Sequence, residues 1–409
     1  MNDLDWIKGT LCILMAGGRG ERLYPLTRDF AKPAVRFGGI YRIIDFTLSN
    51  CLNSHIRKVY VLTQYRSVSL ERHIRLGWNI FNHELDEFIE CVPPQLVHSD
   101  HVYRGTADSL FQNIQLLQLE RPERVLILSG DHVYKMNYNA MIEYHVNKGA
   151  DLTVAGVEVE REQASAFGVI GSNDDYKIVD WEEKPKDPKP VPGKSDKSFV
   201  SMGVYVFNTE VLVKQLFSDV KKKSSSHDFG KDIVPAMIKT NKVYVHGFTE
   251  PIDRTRSYWK DIGTLDAYWE ANMDLVAPVP QCNLYEKEWP IRTYQHQVPP
   301  AKTVSEHSRR VGSVLDSVIA GGCLVAGAKV VRSVLSPNVK VGGSSVVEDS
   351  VLLDGVQVGR GARIRKAIVD QDVSIPDGFT VGIDAEEDKK RFTISPGGIV
   401  VVPRGVVLD

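Results

Sequence analysis

From about Val314 onward, aliphatic residues return every six positions. They run Ile319, Val325, Val331, then Leu335, Val341, Val347, then Val346, Leu352, Val358, Ile364, then Val369, Ile375, Val381. Small residues and glycines fill the intervals. Six matches neither the period of about 3.6 of an amphipathic helix nor the period of about 2 of a strand. It matches the hexapeptide parallel β-helix, where each short strand gives one inward aliphatic and stacked coils share a continuous core column. The interval between Ile364 and Val369 breaks the period. A sandwich of short strands therefore stays open on pattern alone.

The preceding part of the chain follows another rule. Apolar runs at Leu11–Met15, Val59–Leu62, Val125–Leu128 and Leu152–Ala155 alternate with helical spacing at Ser67–Leu76 and Tyr138–Asn147. This alternation predicts an α/β domain on a doubly wound, mostly parallel, Rossmann-like sheet with helices on both faces. Ligands of such sheets sit outside the carboxyl ends of the strands. The loops there, Gly17-Gly18-Arg19-Gly20, Gln64-Tyr65 and Gly130-Asp131, are expected to converge on one crevice. Residues 276–312 hold several prolines and no clear period, so they read as a linker. The expected organisation is an α/β domain over 1–275, a linker over 276–312 and a β-helix over 313–409.

Bulk properties narrow the class. The chain has 409 residues, 43% hydrophobic and 25% charged, which is a globular balance. A formal net charge of −2 argues against nucleic acid or an anionic membrane as the main partner. No apolar run approaches the ~18 residues of a spanning helix, and no signal peptide is expected. Five cysteines, Cys12, Cys51, Cys91, Cys282 and Cys323, show no metal-binding spacing. They fit free thiols in a reducing cytoplasm better than a disulfide framework.

Chemistry concentrates at the end of the first strand. Glycines let backbone amides approach a ligand, and such a nest favours anions. Arg19, Arg22 and Lys32 add cations near the same loop, so a polyphosphate suits it. On the glycines alone, a tight turn with solvated basic residues fits equally well. Asp131 and Asp261 each stand at a strand end beside a glycine turn, where a carboxylate suits Mg²⁺. A turn or cap aspartate is the local alternative for both. Thr106 or Asp108 is suited to cap a helix starting near Ser109, and Glu182 to Lys186 reads locally as a solvated charge run. His227 reads as structural.

Taken together, Gly17-Gly18-Arg19-Gly20-Glu21-Arg22-Leu23 with Ala31-Lys32-Pro33 resembles the signature of sugar-nucleotide pyrophosphorylases. The continuation Tyr41-Arg42-Ile43-Ile44-Asp45-Phe46 and Leu48-Ser49-Asn50 is similar to the ADP-glucose branch of that family. The resemblance extends to Arg391-Phe392. It implies a nucleotidyltransferase domain followed by a left-handed β-helix for oligomerisation and allostery. It implies AMP transfer from ATP to α-D-glucose 1-phosphate, giving ADP-glucose and pyrophosphate for glycogen synthesis. It also implies Mg²⁺, a homotetramer and anionic metabolite effectors. By the same resemblance, Arg22, Lys32, Asp131 and Asp261 are catalytic, the two aspartates holding the metal. Gly17, Gly18, Arg19, Gly20, Gln64, Gly105 and Thr106 bind ATP. Tyr103, Gly168, Glu183, Lys184, Ser201 and Asp228 bind glucose 1-phosphate. A UDP- or dTDP-glucose pyrophosphorylase and a catalytically weak regulatory subunit are the alternatives.

The sequence departs from the family at two points. Many relatives carry a basic pair before Ala31-Lys32-Pro33, where this chain has Asp29-Phe30. A tryptophan of many relatives is Val102 here. Arg36, Arg42, Lys389, Lys390 and Arg391 remain as anion contacts, so an effector site with a weak response to fructose bisphosphate is expected.

Overall fold

A computed structural model describes residues 5–95, 102–305 and 311–409. Part of the expected linker, residues 306–310, lies outside the described residues. The chain forms two compact units that interleave along the sequence. The first comprises Met1–Gly18, Thr47–Gly130 and Tyr134–Trp259; the second comprises Arg19–Phe46, Asp131–Val133 and Lys260–Asp409.

The first unit is built on a nine-stranded sheet. Strands Arg124–Ser129, Thr10–Ala16, Lys58–Thr63 and Phe88–Val92 lie side by side and parallel. Leu11 to Leu14 are almost wholly buried, as an unbroken apolar run requires when helices cover both faces. The remaining strands make the sheet mixed. The twelve-residue strand Lys197–Asn208 runs antiparallel to Arg124–Ser129, Leu152–Glu160 and Gly168–Ser172. Its register shifts between Ser201 and Tyr205, where Gly203 takes φ +66°. That shift lets one strand serve different neighbours along its length. Alternating apolar runs announced the parallel core, but the long antiparallel strand carries no sign of its direction in its composition.

The second unit contains the β-helix. Three parallel sheets stack successive coils, for example Val325–Val341–Val358–Ile375, Val330–Val347–Ile364–Val381 and Leu335–Leu352–Val369–Val402. These side chains form a buried column. The core passes through Val330 and Val347 rather than Val331 and Val346, because a coil is not three equal steps. From Leu335 the inward positions are 341, 347 and 352, then 358, 364 and 369. From Leu335 onward each coil thus advances by six, six and five residues, whereas the earlier step from Val325 to Val330 is only five. The five-residue step at Ile364 to Val369 is a regular corner of the coil, and the sandwich alternative is set aside.

Val334, Val351, Ile368 and Val401 point away from this column yet are buried. The segment around Gly39 and helix Leu265–Asp274 cover that sheet. A Cβ on Gly39 would lie 3.6 Å from Val318, and Trp269 Nε1 donates to the Asp349 carbonyl at 2.8 Å. Between helix and β-helix, residues 278–301 have no regular structure, but Trp289 and Ile291 are buried and the Thr293 hydroxyl donates to Asp45 at 2.7 Å. None of the five cysteines forms a disulfide, and no helix among the described residues is long and apolar enough to cross a membrane.

Burial depresses the pKa of two histidines of the first unit. His145 lies between the Thr153 hydroxyl at 2.9 Å and Asn208 at 3.2 Å, and burial lowers its pKa to about 4. Burial likewise takes His246 down to about 4, and its Nδ1 has no hydrogen-bond partner. Below the unperturbed value of 6.5 the unfolded chain binds these protons and the native state does not. Stability is therefore complete above that pH and lost as pH falls toward 4, by up to about 1.4 kcal/mol per pH unit for each ring. Urea midpoints across this window should decline, and His246→Phe should remove about one proton from the slope. An unaltered slope would contradict the assignment.

Candidate active site

The glycine loop leaves the first strand and closes on Lys32. Gly20 adopts φ +65°, and a Cβ there would stand 2.9 Å from Thr27 and 3.0 Å from Lys32. Only glycine meets both demands. The Thr27 hydroxyl holds the turn by donating to the Gly20 carbonyl at 2.8 Å. Lys32 opens the short turn Lys32–Ala34, whose φ Pro33 presets.

The Lys32 side chain is buried, 8% exposed, and its Nζ donates to Asp131 Oδ2 at 2.7 Å and to Asp261 Oδ1 at 2.9 Å. Burial alone would lower the Lys32 pKa, but the carboxylates of Asp131 and Asp261 outweigh it and hold the ammonium above its ordinary value. His132 completes the group, with Nε2 3.3 Å from Asp131 Oδ1 and 3.9 Å from Asp261 Oδ1. Asp261 ends the strand Trp259–Asp261, and Thr264 caps the following helix by accepting from the Ala267 amide at 3.2 Å. Between them, Gly263 leaves space for Arg22: a Cβ would meet Arg22 Nη2 at 3.0 Å. Arg19 is exposed and stands 3.7 Å from Glu21.

This group is also the one set of metal-competent side chains among the described residues. Ligand atoms of Asp131, His132 and Asp261 lie within 4.8 Å of one another. Two carboxylates offer the hard oxygens that Mg²⁺ prefers, and three protein ligands leave positions for phosphate oxygens or water. The donor set fits the metal expected from the sequence.

In the first unit, Gly17 packs against Gln64, 2.9 Å from where a Cβ would meet that side chain, while Gly18 has nothing within 4 Å. Gln64 Nε2 donates to the Tyr103 carbonyl at 3.4 Å, and the Tyr103 hydroxyl accepts from Asn113 at 2.9 Å. Gly105 precedes helix Thr106–Gln112 and lies so close to the His227 carbonyl that a Cβ would approach it to 2.3 Å. Thr106 donates to Asp228 Oδ2 at 3.0 Å. Asp228 Oδ1 caps the turn Phe229–Ile233, accepting from the Gly230 and Lys231 amides at 2.9 and 3.1 Å. A Cβ on Gly168 would meet Glu183 and Trp181 at 3.1 Å. Lys184 has φ +50°, unusual for a non-glycine residue, and its Nζ is 3.9 Å from Glu183. The Ser201 hydroxyl accepts from the Gly203 amide at 3.2 Å.

The expected effector contacts all have partners within the second unit. Arg36 pairs with Asp354 at 3.0 Å, and Arg42, opposite it on a two-stranded sheet, donates to the Ala34 carbonyl at 3.0 Å. Lys390 pairs with Glu387 at 2.6 Å, and the Arg391 guanidinium lies 5.5 Å from the centre of the Phe379 ring. Asp29 binds Arg28 at 3.2 Å.

The sequence pattern assigns no role to His132 or to Gly263. Adjacency was the signal for the first. Nothing local marks the second, because the arginine it accommodates is far away in sequence.

Residues 11–277 match the model of the nucleotidyl transferase family, and residues 299–402 match the GlmU-like C-terminal hexapeptide model, consistent with a left-handed β-helix. The chain is 49% identical to "Glucose-1-phosphate adenylyltransferase 2" of Vibrio cholerae, over 97% of this chain and 98% of that protein. It is 50% identical to "Glucose-1-phosphate adenylyltransferase" of Koribacter versatilis, over 97% and 95%. It is 48% identical to the protein of the same name from Rhodopirellula baltica, over 98% and 91%.

Replacing Lys32 with Ala leaves Asp131 and Asp261 facing each other without their shared cation. Their partial exposure puts the loss at the low end of a broken buried pair, roughly 3 kcal/mol in chelator. Added Mg²⁺ should raise the melting temperature of this variant more than that of the parent. Equal responses to Mg²⁺ would speak against the metal assignment.

Proposed function

The chain belongs to the nucleotidyl transferase family, among its glucose-1-phosphate adenylyltransferases, and we propose that it transfers AMP from ATP to α-D-glucose 1-phosphate, releasing pyrophosphate. The observation that carries this reading is Lys32, whose ammonium joins two carboxylates drawn from distant segments beside Arg22. A compact group of cations and metal-competent carboxylates suits a triphosphate.

The chemistry asks for little beyond position and charge. The phosphate of glucose 1-phosphate is ionised at neutral pH, so no residue need act as base. Its oxygen forms a bond to the α-phosphorus as the α–β phosphoanhydride bond breaks, and pyrophosphate carries away the electron pair. Arg22 and Lys32 hold the triphosphate and offset the charge that moves toward pyrophosphate, the electrostatic term that dominates many such reactions. Asp131 and Asp261 would hold Mg²⁺, which supplies further charge neutralisation when bound. Gln64, with a donor and an acceptor on one amide, is assigned to the adenine edge. Gly17, Gly18, Arg19, Gly20, Gly105 and Thr106 complete the ATP contacts.

Lys184 is assigned to the sugar phosphate and Glu183 to the sugar hydroxyls. Tyr103, Gly168, Ser201 and Asp228 are assigned to the remainder of the sugar site. Asp228 already accepts three hydrogen bonds, so any sugar hydroxyl takes its remaining lone-pair site. The proposal extends to supply of the glucosyl donor for glycogen, to a homotetramer in the cytoplasm, and to effector binding by Arg36, Arg42, Lys390 and Arg391. The β-helix over 313–409 would carry the oligomer contacts and the regulation.

Pyrophosphate release should require ATP and glucose 1-phosphate together and a divalent cation, and Asp131→Ala should abolish it. Faster release with UTP or dTTP would replace the adenylyl assignment; none with any nucleotide would favour a regulatory subunit. Adding fructose bisphosphate should change the rate weakly. Lys184→Ala should raise KM for glucose 1-phosphate at least tenfold more than KM for ATP; equal changes would remove Lys184 from the sugar site.

A further inference from the structure

Helix Thr209–Asp219 ends in a carboxylate, where the helix dipole opposes negative charge. Asp219 is nonetheless buried, with its side chain 4% exposed, against an equally buried His227. The His227 Nδ1 stands 2.7 Å from Asp219 Oδ2, and the Ser225 hydroxyl donates to Oδ1 at 2.7 Å. Ser225 Oγ in turn accepts from the His227 amide at 2.9 Å. One carboxylate and one hydroxyl thus fix His227 at its ring and at its amide.

That residue has an unfavourable backbone. His227 sits in the left-handed region at φ +55°. The conformation turns its carbonyl toward helix Thr106–Gln112, where it accepts from the Ala107 amide at 2.8 Å and the Asp108 amide at 3.3 Å. The next residue, Asp228, receives the Thr106 hydroxyl, and the Phe229 amide donates back to Thr106 Oγ1 at 3.0 Å. On the far side, the Asp228 amide donates to Asp232 at 3.1 Å. The contact is close enough to require glycine at 105, since a Cβ would also lie 2.5 Å from the Ser226 carbonyl.

We infer that Asp219 and His227 are positioning residues that lock the Gly105–Thr106 loop onto the Asp228 turn. The inference rests on the assignment of Thr106 to ATP and Asp228 to glucose 1-phosphate. Neither Asp219 nor His227 is assigned to a substrate. Their hydrogen bonds hold His227 left-handed, and the left-handed turn holds the two binding segments in register.

His227→Ala removes the ring donor and strains the turn, whereas His227→Asn keeps a side-chain N–H donor and tolerates the same backbone. The Ala variant should raise KM for both substrates about tenfold, with a smaller change in kcat, and Asn should restore most of the loss. Unchanged KM values with a lower melting temperature alone would reduce the pair to a packing role and overturn the inference. Amide hydrogen exchange gives a readout independent of the reaction. Ala107 and Asp108 should exchange at least tenfold faster in His227→Ala or in Asp219→Asn, and unchanged exchange would overturn the lock even if the parent protein makes no ADP-glucose.

Discussion

One ammonium group joins three distant parts of the chain. Lys32 follows the glycine loop, Asp131 follows the strand Arg124–Ser129, and Asp261 ends the strand before helix Leu265–Asp274. A buried lysine is costly unless paired, and two carboxylates without their cation would repel each other. Each charge therefore requires the other two, and the chain segments that carry them are tied to the same place. Gly20 and Gly263 are the steric conditions for this arrangement, one admitting Lys32 and the other admitting Arg22. The same mutual dependence makes the group responsive: a divalent cation competes with Lys32 for the same oxygens.

A different economy governs the β-helix. Its strands are two or three residues long and have no stability alone. Stacking supplies what length does not, because each inward aliphatic meets its counterpart in the coil above and below. One sheet buries its outer face as well, through Val334, Val351, Ile368 and Val401 beneath helix Leu265–Asp274 and the segment around Gly39. Polar anchors fix that packing: Tyr268 donates to the Arg36 carbonyl at 2.7 Å, and Asp266 accepts from Ser395 and from the Gly397 amide. Arg36 then reaches Asp354, whose carboxyl burial pushes upward despite the guanidinium. Of the expected effector cations, Arg36 is thus part of the packing of its unit, while Lys390 and Arg391 stay exposed.

The helix Tyr138–Asn147 is legible to the residue, since Asn137 caps it and a glycine follows at 149. The parallel strands were legible because unbroken apolar runs have few other uses. Direction and register were less so. Nothing in Lys197–Asn208 states that it runs antiparallel, and the shift near Gly203 answers to neighbours on either side. The β-helix column was off by one at Val331 and Val346 because a constant period of six ignores the five-residue steps from Val325 to Val330 and from Val347 to Leu352. Among site residues, Asp131 and Asp261 were legible as metal carboxylates through the family resemblance, but only the fold brought Lys32 between them. His227 read as structural without a partner, and Asp219 gave no sign, because a helix-ending aspartate is an ordinary feature of surfaces.

By itself the sequence determined what local chemistry dictates. Glycines set the loop, six-residue recurrence set the coiled domain, β–α alternation set the sheet, and the motifs around Arg22, Lys32 and Tyr41 to Asn50 set the family. Only the tertiary structure decided which charges share a partner. A carboxylate in sequence is a turn, a cap or a ligand with equal ease; burial beside Lys32 makes Asp131 and Asp261 one electrostatic unit. It likewise decided that Asp219 spends its charge on His227, and that Arg36 spends its own on Asp354. Charge pairing acts over distances of a few ångströms, and the fold alone determines which distant residues come within that range.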